Sequence, residues 1–186
     1  MAKDIAFGPK NMGLSEEEIE AKVRKAARFA GLREELLERS PFDLSGGEKR
    51  RAAIAGVIAM EPEVLILDEP TAGLDPVGRE LLFGAIKAYQ EKTNAGIIIV
   101  SHSMEDLSRL CNRLLVLNQG KVKMFGTVDE VFSKSQELNS MGLDVPMVTR
   151  IMLDLKEMGI DINTNVYTVE KAADLILKAY KRGEVK

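Results

Sequence analysis

Two short apolar runs, residues 64–67 and 97–100, stand out from the mixed polar and apolar sequence around them. Neither run alternates between apolar and polar residues, which predicts strands buried on both faces of a sheet. A third apolar stretch, residues 114–117, is followed by the turn residues Asn118-Gln119-Gly120 and by residues 121–125. This last arrangement predicts a β-hairpin.

Helix-starting residues lie before, between and after the two apolar runs. Ser15 and Glu18 form a capping box, which predicts a helix from Glu16 to about Ala30 that ends at Gly31. Further helices are predicted over residues 45–59, 75–92, 103–110, 145–158 and 168–180, with a short one after Thr127. Because strands and helices alternate, the chain is predicted to form an α/β fold with a parallel sheet, followed from about Ser133 by a small helical appendage.

Composition excludes some classes of function. The net charge of −3 argues against a protein that binds nucleic acid by bulk electrostatics. Cys111 is the only cysteine, so no internal disulfide can form, which favours a reducing compartment. Cys111 itself is predicted to be a small buried apolar residue. No apolar run is long enough to span a bilayer, and the first residues lack the apolar core of a signal peptide.

The sequence Leu44-Ser45-Gly46-Gly47-Glu48 has two interpretations that the residues alone leave open. Ser45 and Glu48 are a capping box, which starts many helices for stability alone. The two glycines, however, each cost up to about 1 kcal/mol in a helix relative to alanine, and they leave backbone N–H groups open to a close-approaching anion. Phosphate contact is therefore the competing interpretation.

Polar residues follow both apolar runs, where open α/β sheets place their ligands. Asp68 and Glu69 suit a magnesium ion and the activation of water, although a carboxylate pair can also simply end a strand. His102, the only histidine, is predicted at the same sheet edge and is interpreted as a γ-phosphate contact, although most single histidines are structural. Asp75 is either a helix cap or part of the site.

Two further features of the sequence concern the residues after the glycines and the binding of phosphate. Lys49, Arg50 and Arg51 are predicted to form a solvated helix face. No segment of the chain fits G-x-x-x-x-G-K-[ST], the loop with which such proteins cradle phosphates.

The order of these motifs resembles that of the ABC-transporter ATPases. The family's signature motif corresponds here to Leu44-Ser45-Gly46-Gly47-Glu48, and its Walker B strand with the catalytic glutamate corresponds to Val64-Leu65-Ile66-Leu67-Asp68-Glu69. The family's D-loop corresponds to Gly73-Leu74-Asp75, and its switch histidine corresponds to His102. Residues 4–9, 49–56 and 100–106 further resemble the energy-coupling factor (ECF) ATPases, which are related to cobalt-importer ATPases, and the match is with the second of their two ATPase types. Glu48 stands where the family more often has glutamine.

The resemblance implies a P-loop NTPase-like core that is N-terminally truncated. Residues 1–60 would form a helical signature subdomain, residues 61–133 the remainder of the α/β core and residues 134–186 a C-terminal helical extension. Two ATPase subunits of this family sandwich two ATP molecules, so Ser45, Gly46, Gly47 and Glu48 would contact ATP held by a sister subunit. Asp68 would hold Mg²⁺, while Glu69 and His102 would act on ATP bound to this chain, and Asp75 would lie in the D-loop.

The family implies a sister ATPase in a homodimer or heterodimer, an integral-membrane transporter subunit, no nucleic acid, and a peripheral position at the cytoplasmic face of the cell membrane. The implied function is ATP hydrolysis that drives uptake of a vitamin or metal ion. Without the phosphate loop, the chain is expected to be a fragment that binds ATP weakly alone and exposes an apolar sheet edge.

Two other functions compete with this one. The chain could pair with a sister ATPase and supply its signature motif without hydrolysing ATP. A role in DNA maintenance ranks last, because the chain shows neither long coiled coils nor a basic surface.

Overall fold

The computed structural model of the chain describes residues 1–183, which form two compact units, Met1–Val100 and a second unit that begins at Ser101. The division into residues 1–60, 61–133 and 134–186 stays a prediction. Residues 184–186 of its last part lie outside the described residues.

The first unit is mainly helical around a small parallel sheet. Its elements are α1 (Ala2–Ile5), α2 (Phe7–Asn11), α3 (Glu16–Phe29), α4 (Gly46–Ile58), β1 (Val64–Asp68), α5 (Pro76–Thr93) and β2 (Gly96–Val100), with short 3₁₀ helices at Glu34–Glu38 and Pro41–Asp43. The predicted capping box at Ser15 is confirmed, since both of its reciprocal hydrogen bonds are present. Helix α3 packs against α4 and α5, so apolar faces of these helices build the core of the unit.

Strands β1 and β2 pair in parallel, with Leu65 opposite Ile97 and Leu67 opposite Ile99, which confirms the predicted α/β class. The prediction that the strands are buried on both faces is wrong. Leu65 is 1% exposed, whereas its neighbour Ile66 is 64% exposed. The described residues of this unit therefore cover one face of the sheet, and an apolar run without alternation does not by itself show that both faces are covered.

The second unit contains α6 (Met104–Leu110), β3 (Arg113–Asn118), β4 (Lys121–Thr127), α7 (Val128–Phe132), α8 (Ser135–Ser140), α9 (Met147–Glu157) and α10 (Val169–Lys181). The predicted hairpin is confirmed: β3 and β4 pair antiparallel, with one irregularity between Val116 and Leu117. One apolar cluster joins the hairpin to α7, and another lies around Met152 and Val166. After Ser133 the described part of the chain is helical without strands, as predicted.

Cys111 is half-buried against the hairpin cluster rather than fully buried. This burial raises the pKa of the Cys111 thiol above its ordinary value, because the thiolate would lose solvation.

Glu61, just after α4, ties that helix to α3. Its carboxylate accepts a hydrogen bond from Lys22 Nζ at 2.7 Å and another from Lys25. These two cations lower the pKa of Glu61 from 4.5 to about 2.

Because only one face of the sheet is covered, substitutions at neighbouring residues of β1 should change the free energy of unfolding by very different amounts. Leu65→Ala should lower the free energy of unfolding by roughly 2–5 kcal/mol, because a fully buried side chain is removed. Ile66→Ala should cost less than about 1 kcal/mol, since that side chain is mostly in solvent. Urea unfolding of the two variants measures this difference, and equal losses would mean that the second face is covered.

The Glu61 ion pairs predict a pH dependence of stability. Because the folded-state pKa is lowered, the stabilisation is full above pH 4.5 and is lost as the pH falls towards 2. Urea unfolding between pH 7 and pH 2.5 should therefore show a smaller loss for Glu61→Gln than for the wild type. Glu63→Gln is the matched control, because it removes a charge from the same loop and keeps both lysine bonds; a loss equal to that of Glu61→Gln would contradict the assignment.

Candidate functional site

Helix α4 begins with the predicted capping box. The Ser45 side chain accepts a hydrogen bond from the Glu48 backbone N–H at 3.3 Å, and the Glu48 carboxylate accepts one from the Ser45 backbone N–H at 2.9 Å. The stability interpretation of this motif is thus confirmed. It does not exclude the phosphate interpretation, because the capping box occupies the N–H groups of Ser45 and Glu48 and leaves those of Gly46 and Gly47.

The two glycines differ in what surrounds them. A Cβ atom at Gly46 would meet open space, with no heavy atom within 4 Å. A Cβ atom at Gly47 would lie 3.4 Å from Leu74 Cδ2 and 3.6 Å from Arg51 Nη1, which is close to ordinary contact. Packing within the chain therefore does not demand glycine at position 46, and the open space there suits the close approach of a ligand.

The charge of Glu48 is held beside the helix start. Its hydrogen bonds with Ser45 lower the pKa of the carboxyl, and Arg33 and Arg51 add to this effect. Arg33 Nη2 lies 3.9 Å from Glu48 Oε1. The negative charge of Glu48 interacts favourably with the helix dipole at the N-terminus of α4. The positive charges of Arg33 and Arg51 offset the repulsion between the Glu48 carboxylate and a phosphate bound there.

Strand β1 ends in a strained turn that carries both predicted carboxylates. Asp68 is the last residue of the strand, and its side chain is exposed. Glu69 has a φ of +44°, which is unusual for a residue with a Cβ atom. Its N–H donates to the carbonyl of Val100 at 2.8 Å, and its carbonyl accepts from the N–H of Ala72 at 3.2 Å. The backbone of Glu69 is thus fixed on both sides.

Arg50 reaches from α4 to this turn. Its Nη1 donates to the Ala72 carbonyl at 2.9 Å, and its Nη2 donates to the carbonyls of Glu69 and, at 3.4 Å, Asp68. The prediction of a solvated face for Lys49, Arg50 and Arg51 is therefore wrong for Arg50, while Lys49 is exposed as predicted. Successive residues on a helix are about 100° apart, so three in a row cannot share one face, and this signal was present in the sequence.

Asp75 caps α5, as one of its two interpretations predicted. Its Oδ1 accepts a hydrogen bond from the Gly78 N–H at 2.6 Å, and Pro76 occupies the first turn. Leu74, the preceding residue, is the side chain nearest to Gly47. The structure therefore brings the start of α4, the Glu69 turn and the start of α5 together within one unit.

His102 follows β2 by two residues and belongs to the second unit, where its side chain is exposed. Asp68 and Val100 are register partners, so the two strands do end at the same edge of the sheet. The phosphate-contact role of His102 stays a prediction.

The carboxylates fit magnesium only together with a nucleotide. Within residues 1–183, no group of three or more histidine, cysteine, aspartate and glutamate residues could hold a metal ion. Magnesium in nucleotide sites often uses one or two carboxylates plus phosphate oxygens and water, and the exposed Asp68 carboxylate fits that donor set. Over the same described range, no helix combines the length and apolar character needed to cross a membrane.

Comparison with known proteins tests the resemblance that these motifs predict. The family model for ABC transporters matches residues 6–72. The dimeric structure of MJ0796, a bacterial ABC transporter cassette, is 27% identical and superposes with a TM-score of 0.56 over 62% of this chain and 49% of the cassette. The predicted resemblance to ABC-transporter ATPases is confirmed.

Within this class, the similarity is to the ECF type. The energy-coupling factor transporter ATP-binding protein EcfA2 of Clostridium tetani is 53% identical over 96% of this chain, and that of Clostridioides difficile is 52% identical over 96%. The chain spans 62% and 63% of the length of these two relatives. The cbiO1 structure from Clostridium perfringens, described as part of the ABC transporter complex cbiONQ, is 38% identical with a TM-score of 0.64 over 80% of this chain and 59% of cbiO1.

The surroundings of the glycines predict opposite effects of two Gly→Ala substitutions in helix first turns. Gly46→Ala should leave stability unchanged or raise it by up to about 1 kcal/mol, since its Cβ meets open space. Gly78→Ala should lower stability by roughly 0.5–2 kcal/mol, because its Cβ would lie 2.8 Å from the capping Asp75 Oδ1. Thermal unfolding measures both, and destabilisation by Gly46→Ala would show that packing, rather than a ligand, requires that glycine.

Proposed function

We propose that this chain is part of the ATP-binding and ATP-hydrolysing subunit of an ECF-type ABC importer, which couples hydrolysis to the uptake of a vitamin or metal ion. The observation that carries the proposal is the convergence of three motifs in one unit. Arg50 of α4 binds the turn with Asp68 and Glu69, and Leu74 of the D-loop segment would be the nearest neighbour of a Cβ atom at Gly47. The names of the similar proteins support the choice of the ECF type.

Each site residue has a role in this proposal. The backbone N–H groups of Gly46 and Gly47 bind phosphate oxygens of ATP held by a sister subunit. The Ser45 hydroxyl, which donates to the Glu48 carboxylate at 2.8 Å in this structure, turns its proton to the same phosphate when ATP binds, while the Ser45 and Glu48 backbone groups stay in the capping box. Asp68 supplies a carboxylate to Mg²⁺, which would neutralise charge on the phosphates. Glu69 orients the attacking water and accepts its proton, His102 contacts the γ-phosphate, and Asp75 fixes the D-loop by capping α5.

The proposed partners are a sister ATPase, in a homodimer or heterodimer, and an integral-membrane transporter subunit; nucleic acid is not among them. The similarity to a dimeric ABC cassette and to cbiO1, part of a cbiONQ complex, supports this arrangement. Such an assembly places the chain peripherally at the cytoplasmic face of the membrane. In this proposal residues 1–60 are the signature subdomain, 61–133 belong to the ATPase core and 134–186 are a C-terminal extension.

A second function is favoured by one observation, the lack of a G-x-x-x-x-G-K-[ST] segment among the 186 residues. Such a loop contributes several N–H groups and a lysine to phosphate binding. The chain would then pair with a sister ATPase and supply Ser45, Gly46 and Gly47 in trans without hydrolysing ATP itself.

Calorimetry of Mg-ATP binding to the Glu69→Gln chain tests the need for a phosphate loop. We expect no detectable binding by the chain alone, because Asp68 and the start of α4 provide too few phosphate contacts. Glu63→Gln is the matched control for loss of one carboxylate near β1. Micromolar binding by the Glu69→Gln chain would show that another of its segments cradles the phosphates.

Addition of a phosphate-loop segment, as a separate chain or a fusion, separates the two functions. The ATPase function is supported if the added segment restores ATP hydrolysis, and if Glu69→Gln abolishes this hydrolysis while Glu63→Gln preserves it. The non-hydrolysing module is supported if the chain tightens ATP binding by a sister ATPase and Gly46→Ala abolishes this effect. In that case no ATP hydrolysis should depend on Glu69. Absence of both effects would overturn both functions.

A further inference from the structure

The side chain of Arg50 connects two parts of the molecule that the proposed function uses separately. It starts on α4, two residues after Glu48, and ends at the turn that follows β1. There it donates to the carbonyl oxygens of Asp68, Glu69 and Ala72, three acceptors within five consecutive residues. These contacts bind backbone rather than side chains, so they control the path of the chain.

The geometry of this contact requires arginine. The guanidinium group is planar and presents several N–H donors in a fixed fork, so two nitrogens can serve different carbonyls at once. Here Nη1 serves Ala72 and Nη2 serves Glu69 and Asp68. A lysine ammonium at the same position is a compact charge on a flexible stem, and it cannot reproduce the two-nitrogen contact.

The turn needs such support because its central residue is strained. Glu69 has a φ of +44°, a region that residues with a Cβ atom occupy only where the surroundings hold them. The Glu69 N–H is held by Val100, and the Glu69 carbonyl is held by Ala72 and Arg50. Of these three contacts, only the one from Arg50 is charge-assisted and comes from a helix side chain.

We infer that Arg50 is a positioning residue, which holds the Asp68–Glu69 backbone against α4 so that the two carboxylates and the start of α4 move as one piece. The inference rests on the proposed function, because the position of this backbone matters only if Glu69 and the start of α4 have the roles proposed above. The position of Leu74 supports it, since its Cδ2 would lie 3.4 Å from a Cβ atom at Gly47 and so places the segment after β1 close to the start of α4 a second time. Arg50 itself need not touch nucleotide.

Hydrogen exchange of individual amides tests the backbone part of this inference on the whole chain. In Arg50→Gln, the amides of Glu69 and Ala72 should exchange about tenfold faster, while that of Leu67 in the β1–β2 ladder is unchanged. Arg50→Lys should resemble Arg50→Gln. Lys49→Gln, the same charge change at the exposed neighbouring position, should leave all three amides unchanged. Unchanged exchange at Glu69 and Ala72, or an equal increase at Leu67, would overturn the inference.

Kinetics in the assembly that restores hydrolysis test the functional part. Arg50→Gln should lower kcat about tenfold to a hundredfold with KM for ATP within about twofold, because misplacement of Glu69 impairs the reaction but not binding. Lys49→Gln should change neither constant. A wild-type assembly that hydrolyses ATP and is unaffected by Arg50→Gln would refute the role of Arg50 and leave the proposed function intact. If no assembly hydrolyses ATP, the ATPase function fails, and the exchange experiment still decides whether Arg50 holds the turn.

Discussion

Burial of Leu65 and Leu67 on one face of a two-stranded parallel sheet is the constraint on which the rest of the first unit depends. These side chains fix which way β1 faces, and the parallel register with β2 places Asp68 opposite Val100. The Glu69 N–H can then reach the Val100 carbonyl, which bends the chain sharply out of the strand. A slip of one residue would turn both leucines to solvent and remove this bond, so the position of the carboxylates is a consequence of core packing.

The start of α4 combines stability with access to a ligand. The capping box satisfies two of the backbone groups at the helix start, so the helix begins firmly at Ser45 although two glycines follow. The space beside Gly46 stays open, and the charge of Glu48 is balanced by Arg33 and Arg51. The arrangement suits an anion that approaches the remaining N–H groups.

Both small sheets leave an apolar face in solvent. In the first unit, this face includes Ile66 and Ile98, which are register partners and are at least half exposed. In the second unit, the partners Leu115 and Phe125 are exposed on the hairpin, where Arg113 stacks over the Phe125 ring. Contiguous exposed apolar residues usually mark surfaces that another segment or chain covers. The exposed apolar sheet edge stays a prediction, whereas the structure shows exposed apolar faces.

The sequence by itself determined most of the elements, because their signals are local; the short helices α1, α2 and α8 and the two 3₁₀ helices were not predicted. Ser15, Ser45 and Asp75 cap helices where they were expected to, and the runs at 64–67 and 97–100 form strands, since caps and β-branched runs act within a few residues. Motif order likewise indicated the resemblance to ABC-transporter ATPases without coordinates. Only the tertiary structure decided which strand faces are covered and that Arg50 binds the Glu69 turn. Both depend on contacts between segments far apart in the chain, and no local pattern encodes which distant carbonyl a guanidinium will meet.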